Sequence, residues 1–589
     1  MLPIHHKNNK SHQRLSTLAQ RIRQALLVTS VVTGMGMLSG CASTSEQDTA
    51  VHANKQVHEF YGTKEAFAKE AVYFVMTDRF VDGDPSNNYP EQGGDYPTFD
   101  LPLIGENGAT ANVGYMGGDF KGILDNVDYI TQMGFSAIWL TPILDNPDQA
   151  FAGGETIEFG GAFKDGGKTG YHGYWASNFF KEDEHLISTD LNFRQLNEAL
   201  AAKNVKTVLD IVANHGSPSF SMPIDQPKFG ELYDIDGNLV ADHHNLPTES
   251  LDQTNPLHDF FHHYPDIMQL SNLDETNAQV QDYLINSYLY WIEQGADAFR
   301  IDTIKHVPAR FWKIMADRIR AQHPDFYMFA ESYDYNANFI AQHTLPKNGQ
   351  ISVLDFPGQS ALTKVFENPA SDFADLADYL HLTHGPYHNV YDLTTFYDNH
   401  DMRRMNASNE GFIDAHNWLF TTRGIPVIYQ GSEFGYMRGT AEHAGNRNYI
   451  GQQRLTEHAG HPIREALIEI ANVRQALPAL QQGLQVNVAL NGHKASFYRV
   501  LQTAQTQQIA LVLLNKSNQD QPFLVDQHLQ AGTWVEQLSG ASVAIKAQAG
   551  KPITFSTSVE PHGVQVWVLN EIVQSPSLLT ELHNAMAYK

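Results

Sequence analysis

Short apolar runs alternate with longer stretches of helical periodicity through the middle of the chain. Each run has the length and unbroken apolar character of a parallel strand that is buried on both faces. One predicted helix, Thr276–Gln294, repeats apolar residues at i, i+3 and i+4 before Gly295 ends it. The predicted strands are Ala71–Met76, Ser136–Leu140, Thr207–Val212, Ala298–Ile301, Tyr327–Ala330, Ile351–Phe356, Thr394–Tyr397 and Ile425–Tyr429.

Strands that alternate with helices in this way predict an α/β fold, a (β/α)8 TIM barrel. In such a barrel the functional residues lie at the C-terminal ends of the strands. A doubly wound open sheet is the alternative, but no glycine-rich nucleotide turn follows the first strand.

Two regions break the alternation. Residues 216–273 are irregular and too long for an ordinary loop, which predicts a small subdomain inserted after the third strand. Period-2 segments after residue 482 predict a C-terminal antiparallel β-sandwich. The predicted division is a signal peptide at 1–40, a tether at 41–65, the barrel at 66–215 and 274–481, the inserted subdomain at 216–273, the sandwich at 482–572 and a tail at 573–589.

The first 40 residues have the features of a secretory signal. They contain five basic residues and no acidic one, and the apolar run Ala25–Leu38 is too short to span a bilayer. The sequence Leu38-Ser39-Gly40-Cys41 then resembles the bacterial lipoprotein processing box, which implies that Cys41 is acylated. Ala42 and Ser43 resemble the outer-membrane sorting pattern. We therefore expect a lipid-anchored protein of the cell envelope, in the outer membrane of a Gram-negative bacterium.

Length and charge limit the classes of partner. A chain of 589 residues is expected to form two or three domains. Without residues 1–40 it carries 34 basic and 66 acidic side chains, a formal charge of about −32. Such a charge repels nucleic acid and anionic lipid, which favours a neutral substrate. We expect a monomer.

Polar clusters follow four of the predicted strands. One cluster alone, Arg300-Ile-Asp302, is equally typical of a structural ion pair. Four clusters that converge on one barrel mouth are harder to explain as structural ion pairs. Carboxylates gathered in one pocket push each other's pKa values apart, so that one stays protonated while another is ionised. That separation is what glycoside cleavage by a nucleophile and a general acid requires. The clusters are Asp210 to His215, Arg300 to Asp302, Phe329 to Glu331 and Phe396 to Asp401.

These four motifs, in this order and at these strands, resemble the α-amylase family, glycoside hydrolase family 13. The resemblance extends from Tyr73 nearly to the end of the chain. It implies that Asp302 is the nucleophile, that Glu331 is the general acid and then the base, and that Asp401 holds ring hydroxyls of the sugar.

A second motif, Thr169 to Trp175, matches a sugar-binding segment of the family, although alone it is as typical of a core aromatic cluster. The resemblance places Lys305 near subsite +1 and Arg447 on the donor side, and Tyr333 would keep an acceptor-site aromatic. The implied substrate-binding residues are His172, Tyr174, Trp175, His215, Arg300, Lys305, His306, Tyr333, His400 and Arg447.

Two Ca²⁺ sites are expected. One string of oxygen-bearing residues resembles the N-terminal calcium loop of cyclodextrin glucanotransferases, but alone it is typical of an Asx-rich turn. The resemblance implies a second site at Asn214, the His306 carbonyl and Asn272, where the family more often has Asp. The pairs His243-His244 and His262-His263 lack zinc-ligand spacing and are assigned to loops. The first site would use Asp82, Asp84, Asn87, Asn88, Gly117 and Asp119.

Within the family the pattern is most similar to the cyclodextrin glucanotransferases, for example at Thr77–Phe80 and Asp401–Asn409. Three departures argue against cyclisation. No later domains follow the first β module, the disulfide of the N-terminal loop is absent, and Met268 stands where those enzymes have a central aromatic.

We therefore predict a retaining, endo-acting α-amylase that hydrolyses the α-1,4 bonds of starch, glycogen or maltodextrins. The alternative is a cyclodextrin glucanotransferase-like or other 4-α-glucanotransferase, because acceptor aromatics such as Tyr333 favour transfer to sugar. A third hypothesis is an inactive surface glucan-binding protein. The intact residues Asp302, Glu331 and Asp401 argue against it.

Overall fold

The structure, a computed structural model, describes residues 58–161, 164–547 and 549–587. The predicted signal peptide, Cys41 and residues 41–57 of the predicted tether lie outside these ranges, so lipidation stays a prediction. Within the described ranges, no helix combines the length and the apolar character that crossing a membrane requires.

Eight parallel strands form the barrel, and all eight predicted strands are confirmed. Their order is β6-β5-β4-β3-β2-β1-β8-β7, and a parallel bridge between Leu354 and Thr394 joins the two edges. The sixth is shorter than predicted because the Asp355 side chain caps a helix that begins at Phe356. The strands are β1 Val72–Val75, β2 Ala137–Leu140, β3 Lys206–Ile211, β4 Ala298–Ile301, β5 Tyr327–Ala330, β6 Ser352–Val353, β7 Thr394–Thr395 and β8 Ile425–Tyr429.

Helices surround the strands. Ala278–Glu293, predicted as Thr276–Gln294, begins after an Asn277 cap and ends before Gly295, whose φ is +108°. Side chains such as Phe74 and Trp139, stacked 3.8 Å apart, fill the barrel interior. The other α-helices of this region are Phe120–Asp125, Val127–Gln132, Phe193–Ala201, Ala309–Arg320, Ala337–Ile340, Phe356–Phe366, Asn409–Thr421, Gly451–Glu457, Pro462–Ala476 and Pro478–Gln482.

The insertion after β3 is not built from residues 216–273 alone, which corrects that prediction. Its four-stranded sheet combines two strands from the connection between β2 and β3 with two strands from residues 216–273. The sheet contains Leu144–Asp145, Asn178–Glu182, Glu231–Tyr233 and Leu239–Asp242. Two further pairs are His215–Pro218 with Leu270–Asn272 and Pro102–Ile104 with Thr110–Asn112.

The C-terminal region is rich in β-strands, as predicted. A six-stranded sheet and a two-stranded sheet share one apolar core with the helix Pro576–Ala587, which forms most of the predicted tail. Residues 58–65 do not form a tether: buried Phe60 pairs through its backbone with Gln502. The strands are Leu484–Asn491, Lys494–Gln502, Gln507–Asn515, Val564–Leu569, Gly532–Glu536 and Ser542–Ile545 in one sheet, and Gln521–Val525 and Phe555–Val559 in the other.

Candidate active site

Arg300 joins three strand ends at the barrel mouth. Its guanidinium is fully buried, and Nη1 donates to both carboxylate oxygens of Asp210 at 2.9 and 3.0 Å and to Asp302 Oδ1 at 2.9 Å. Nη2 lies 3.1 Å from Glu331 Oε2. A buried cation is stable only when anions compensate it, and here one cation holds two candidate catalytic carboxyl groups side by side.

Burial sets the protonation of Glu331. It raises the pKa of Glu331 to about 8, although Arg300 opposes the rise, and Asp401 and Asp302 add to it. Glu331 therefore keeps its proton at neutral pH, as a general acid must. Asp302 instead accepts a charge-assisted hydrogen bond from Arg300.

Asp210 is a site residue that the sequence analysis quoted without assigning a role. Trp139 Nε1 donates to its Oδ2 at 3.0 Å and the Tyr174 hydroxyl donates at 2.8 Å. Burial raises the pKa of Asp210 to about 7 despite Arg300. The available signal was a carboxylate between the apolar residues Leu209 and Ile211 of strand β3.

Asp401 lies beside His400 and Arg447. His400 Nε2 is 3.1 Å from Asp401 Oδ2 and 2.8 Å from the Tyr174 hydroxyl, and the rings of His400 and Tyr174 stack 5.5 Å apart. Arg447 Nη2 donates to Asp401 Oδ1. Desolvation raises the pKa of Asp401, and Arg447 opposes this. Arg447 was predicted to bind sugar, but in the structure its guanidinium contacts the Asp401 carboxylate.

His172 and His215 are neutral at the same mouth. Burial, with Lys168 and Arg447 nearby, lowers the pKa of His172 well below its usual range, and burial lowers that of His215. His172 Nδ1 accepts from the Tyr174 backbone N–H at 3.1 Å, and its ring meets Trp175 edge-on. His215 Nδ1 has no partner among the described residues. Neutral imidazoles of this kind can bond to sugar hydroxyls.

The predicted acceptor residues follow β4 and β5. Lys305 Nζ donates to the Tyr333 carbonyl at 2.7 Å, and His306 pairs with Asp266 at 3.0 Å. Tyr333 and Tyr335 are exposed, with ring centres 6.1 Å apart. Tyr335 was missed, although its spacing of two residues from Tyr333 was visible. Met268, at φ +50°, is also exposed.

Residues 74–472 match the family model described as the α-amylase catalytic domain. The chain belongs to the α-amylase family. It is 30% identical over 483 residues to a cyclomaltodextrin glucanotransferase from Niallia circulans, covering 79% of this chain but only 61% of that relative.

Two solved structures of this family are similar over most of the chain. One is a cyclomaltodextrin glucanotransferase with a three-domain ABC distribution, 28% identical with a TM-score of 0.67, covering 85% of this chain and 99% of that one. The other is an Anoxybacillus α-amylase, 25% identical with a TM-score of 0.65, covering 86% and 98%. The similarity thus includes the β-rich region beyond the barrel.

The first predicted calcium loop holds three buried oxygens that have no hydrogen-bond partner in the part of the chain that the structure describes. They are Oδ1 of Asp82, Asn87 and Asn88. Asp119 shapes the loop by accepting from the backbone N–H groups of residues 83, 84 and 122 at 3.1, 2.8 and 2.7 Å. The Asp84 carboxylate accepts from the Ser86 N–H at 3.1 Å. Unpaired buried oxygens are costly, and a hard cation satisfies them.

Gly117 closes the same loop. Its φ is +86°, and a Cβ there would lie 2.4 Å from Asn88 Oδ1. Any side chain at this position would displace an oxygen from the candidate calcium site.

The second predicted calcium site is less complete. Asn214 and Asn272 lie on neighbouring segments, since the Leu273 N–H donates to the Asn214 carbonyl at 3.0 Å. The Asn272 amide donates to the Tyr264 carbonyl at 3.1 Å. The third member, the His306 carbonyl, stays a prediction.

His262, assigned to a loop, lies in a group that the sequence analysis missed. Its Nε2 is 2.7 Å from Glu275 Oε2, and Asp274 completes a set whose ligand atoms lie within 4.8 Å of one another. The contact ties the insertion to the start of the helix Ala278–Glu293.

Proposed function

We propose that the protein is a retaining hydrolase of α-1,4-glucans such as starch, glycogen or maltodextrins. The carrying observation is the Arg300 guanidinium, which holds Asp302 beside a protonated Glu331. Retaining glycosidases need their two carboxyl groups close together, whereas inverting ones leave room for water between them. The family membership of the chain supports the same substrate class.

The reaction proceeds in two displacements. A carboxylate oxygen of Asp302 attacks the anomeric carbon, the glycosidic C–O bond breaks, and Glu331 gives its proton to the leaving oxygen. Glu331, now a carboxylate, takes a proton from water, whose oxygen attacks the anomeric carbon and releases Asp302. Each displacement inverts the anomeric carbon, so the two together retain its configuration. Asp401 holds the ring hydroxyls as the sugar distorts.

Water or sugar can be the final acceptor, and two observations bear on the choice. Met268 offers no aromatic surface around which a glucan could curl, which favours hydrolysis. Tyr333 and Tyr335 form an exposed aromatic pair that favours transfer, the second candidate. The number of domains does not count against transfer, because the three-domain structure described above is a glucanotransferase.

Product analysis tests the choice. We expect soluble starch to yield linear maltooligosaccharides with a steady rise in reducing ends. Met268→Tyr should raise the cyclic or transferred fraction severalfold, because the ring offers a stacking surface worth about 1 kcal/mol. Ile224→Tyr, at another exposed position of the insertion, should not. Mainly cyclic products from the unsubstituted protein would replace the hydrolase proposal with the transferase.

We also propose that the first loop binds Ca²⁺ as a structural ion. Chelation should lower the melting temperature by several degrees, because the ion binds only the folded loop. Asp82→Ala should have a lower melting temperature that no longer responds to chelator. Asp95→Ala, an exposed neighbour, should keep the response. A melting temperature of the unsubstituted protein that ignores prolonged chelation would refute the site.

A further inference from the structure

A chain of partly buried polar contacts leads away from Asp401 through Arg447. Arg447 Nη1 lies 2.8 Å from Glu442 Oε1, and that oxygen lies 3.4 Å from Lys168 Nζ. Lys168 Nζ contacts Asp165 Oδ1 at 2.8 Å. Asp165 Oδ2 accepts from Gln269 Nε2 at 2.7 Å. We call Asp401, Arg447, Glu442, Lys168, Asp165 and Gln269 the relay.

The relay connects three loops. Arg447 and Glu442 follow β8, Lys168 and Asp165 precede the His172 motif, and Gln269 belongs to the insertion after β3, next to Met268. Along this path the three loops are connected by hydrogen bonds and ion pairs between side chains at the barrel mouth. One end of the path is a candidate catalytic carboxylate.

Charge balance along the relay depends on Lys168. Its side chain is only 8% exposed and lies between two carboxylates. Burial alone would raise the pKa of Glu442, but Arg447 and Lys168 hold it well below its usual range. His443 Nε2 also lies 3.1 Å from Glu442 Oε1. Burial by itself would lower the pKa of Lys168, but Glu442 and Asp165 raise it above its usual range, so Lys168 carries the positive charge that balances Glu442.

Arg447 has two competing anions, Asp401 and Glu442. Lys168 neutralises Glu442 and so limits its attraction for Arg447. Without Lys168, the uncompensated Glu442 would draw the guanidinium away from Asp401, because Coulomb attraction is strong at a poorly hydrated site.

We propose that Lys168 is a positioning residue that keeps Arg447 on Asp401 by neutralising Glu442. This inference rests on the proposed role of Asp401 in holding the distorted sugar. Contacts to ring hydroxyls tighten in the transition state, so misplacing Asp401 lowers kcat more than it raises KM.

The test compares variants of the full protein by release of 4-nitrophenol from a 4-nitrophenyl maltopentaoside. Lys168→Met should lower kcat roughly 10-fold or more with a smaller change in KM, since small misplacements of catalytic groups cost up to about 100-fold. Lys168→Arg should recover most of the activity. Lys164→Met is the matched control in the same loop, because Lys164 pairs with Glu155, whose side chain is exposed.

The double variant Lys168→Met/Glu442→Gln separates positioning from structure. With no anion at position 442, Asp401 is the one left of the two carboxylates that contact Arg447, so the double variant should be more active than Lys168→Met alone. It also removes the carboxylate that loses its lysine partner in Lys168→Met, so it should fold if the single variant does not. Equal or lower activity of the double variant, or full activity of Lys168→Met, would overturn the proposal.

Release of 4-nitrophenol measures cleavage of the glycosidic bond, whether water or a sugar then accepts the glycosyl group. Cyclic products from the unsubstituted protein would refute the hydrolase proposal and leave the relay intact. Unchanged kcat in Lys168→Met would refute the relay and leave the hydrolase proposal intact.

Discussion

Asp302→Asn is expected to lower the rate of glucan cleavage by at least about 10⁴-fold, the scale seen when a catalytic nucleophile is removed. An amide of the same shape cannot form the glycosyl ester. The fold should persist, because Arg300 keeps its contacts to Asp210 and Glu331. Binding of maltoheptaose should also persist, since the other sugar-binding side chains are untouched.

Turnover, the melting temperature and calorimetric binding of maltoheptaose check this expectation together. Asp334→Asn is the matched control, because Asp334 lies three residues after Glu331 and only caps a local turn. It should retain turnover near that of the unsubstituted protein. Near-normal turnover in Asp302→Asn would reject the nucleophile assignment, whereas loss of binding and fold would show a structural role instead.

Glu331→Gln is expected to lower kcat on starch by about 10²–10⁴-fold, the usual contribution of a general acid. Glu331 acts as an acid only while it holds its proton. Activity of the unsubstituted protein should therefore be lost as pH rises through about 8, the value to which burial raises the pKa of Glu331. In Glu331→Gln this alkaline loss should disappear.

A substrate whose leaving group needs no proton isolates the role of Glu331 as the general acid. Fluoride leaves without protonation, so Glu331→Gln should form the glycosyl intermediate from α-maltosyl fluoride at a rate much closer to the unsubstituted protein than on starch. Glu367→Gln, which alters a surface ion pair with Arg403, should change neither rate. Equal losses on both substrates would contradict the acid assignment.

The barrel was predictable because each of its strands is buried on both faces and so reads as an apolar run. The predicted carboxylates could be placed at its mouth because parallel strands end on one side. Gln521–Val525 and Gly532–Glu536 carry a weaker apolar signal than the barrel strands, because alternate side chains of these two strands face solvent.

Long-range pairing accounts for the other misses. Nothing local shows that Asn178–Glu182 joins the sheet of the insertion. Lys168 and Glu442 are 274 residues apart, so their contact, and with it the commitment of Arg447 to Asp401, is invisible to periodicity. Orphaned oxygens such as Asp82 Oδ1 likewise become evident only when burial is known.

The pairing of Phe60 with Gln502 can form only after most of the chain has been synthesised. The Gln502 side chain also donates to the His58 carbonyl, 444 residues earlier. At about 5–20 residues per second, the first described residues emerge from the ribosome roughly 20–90 s before their partner strand exists. During that interval the side chain of Phe60, which is buried in the folded protein, is exposed to solvent. It therefore offers an early binding site for a chaperone that recognises apolar segments of nascent chains.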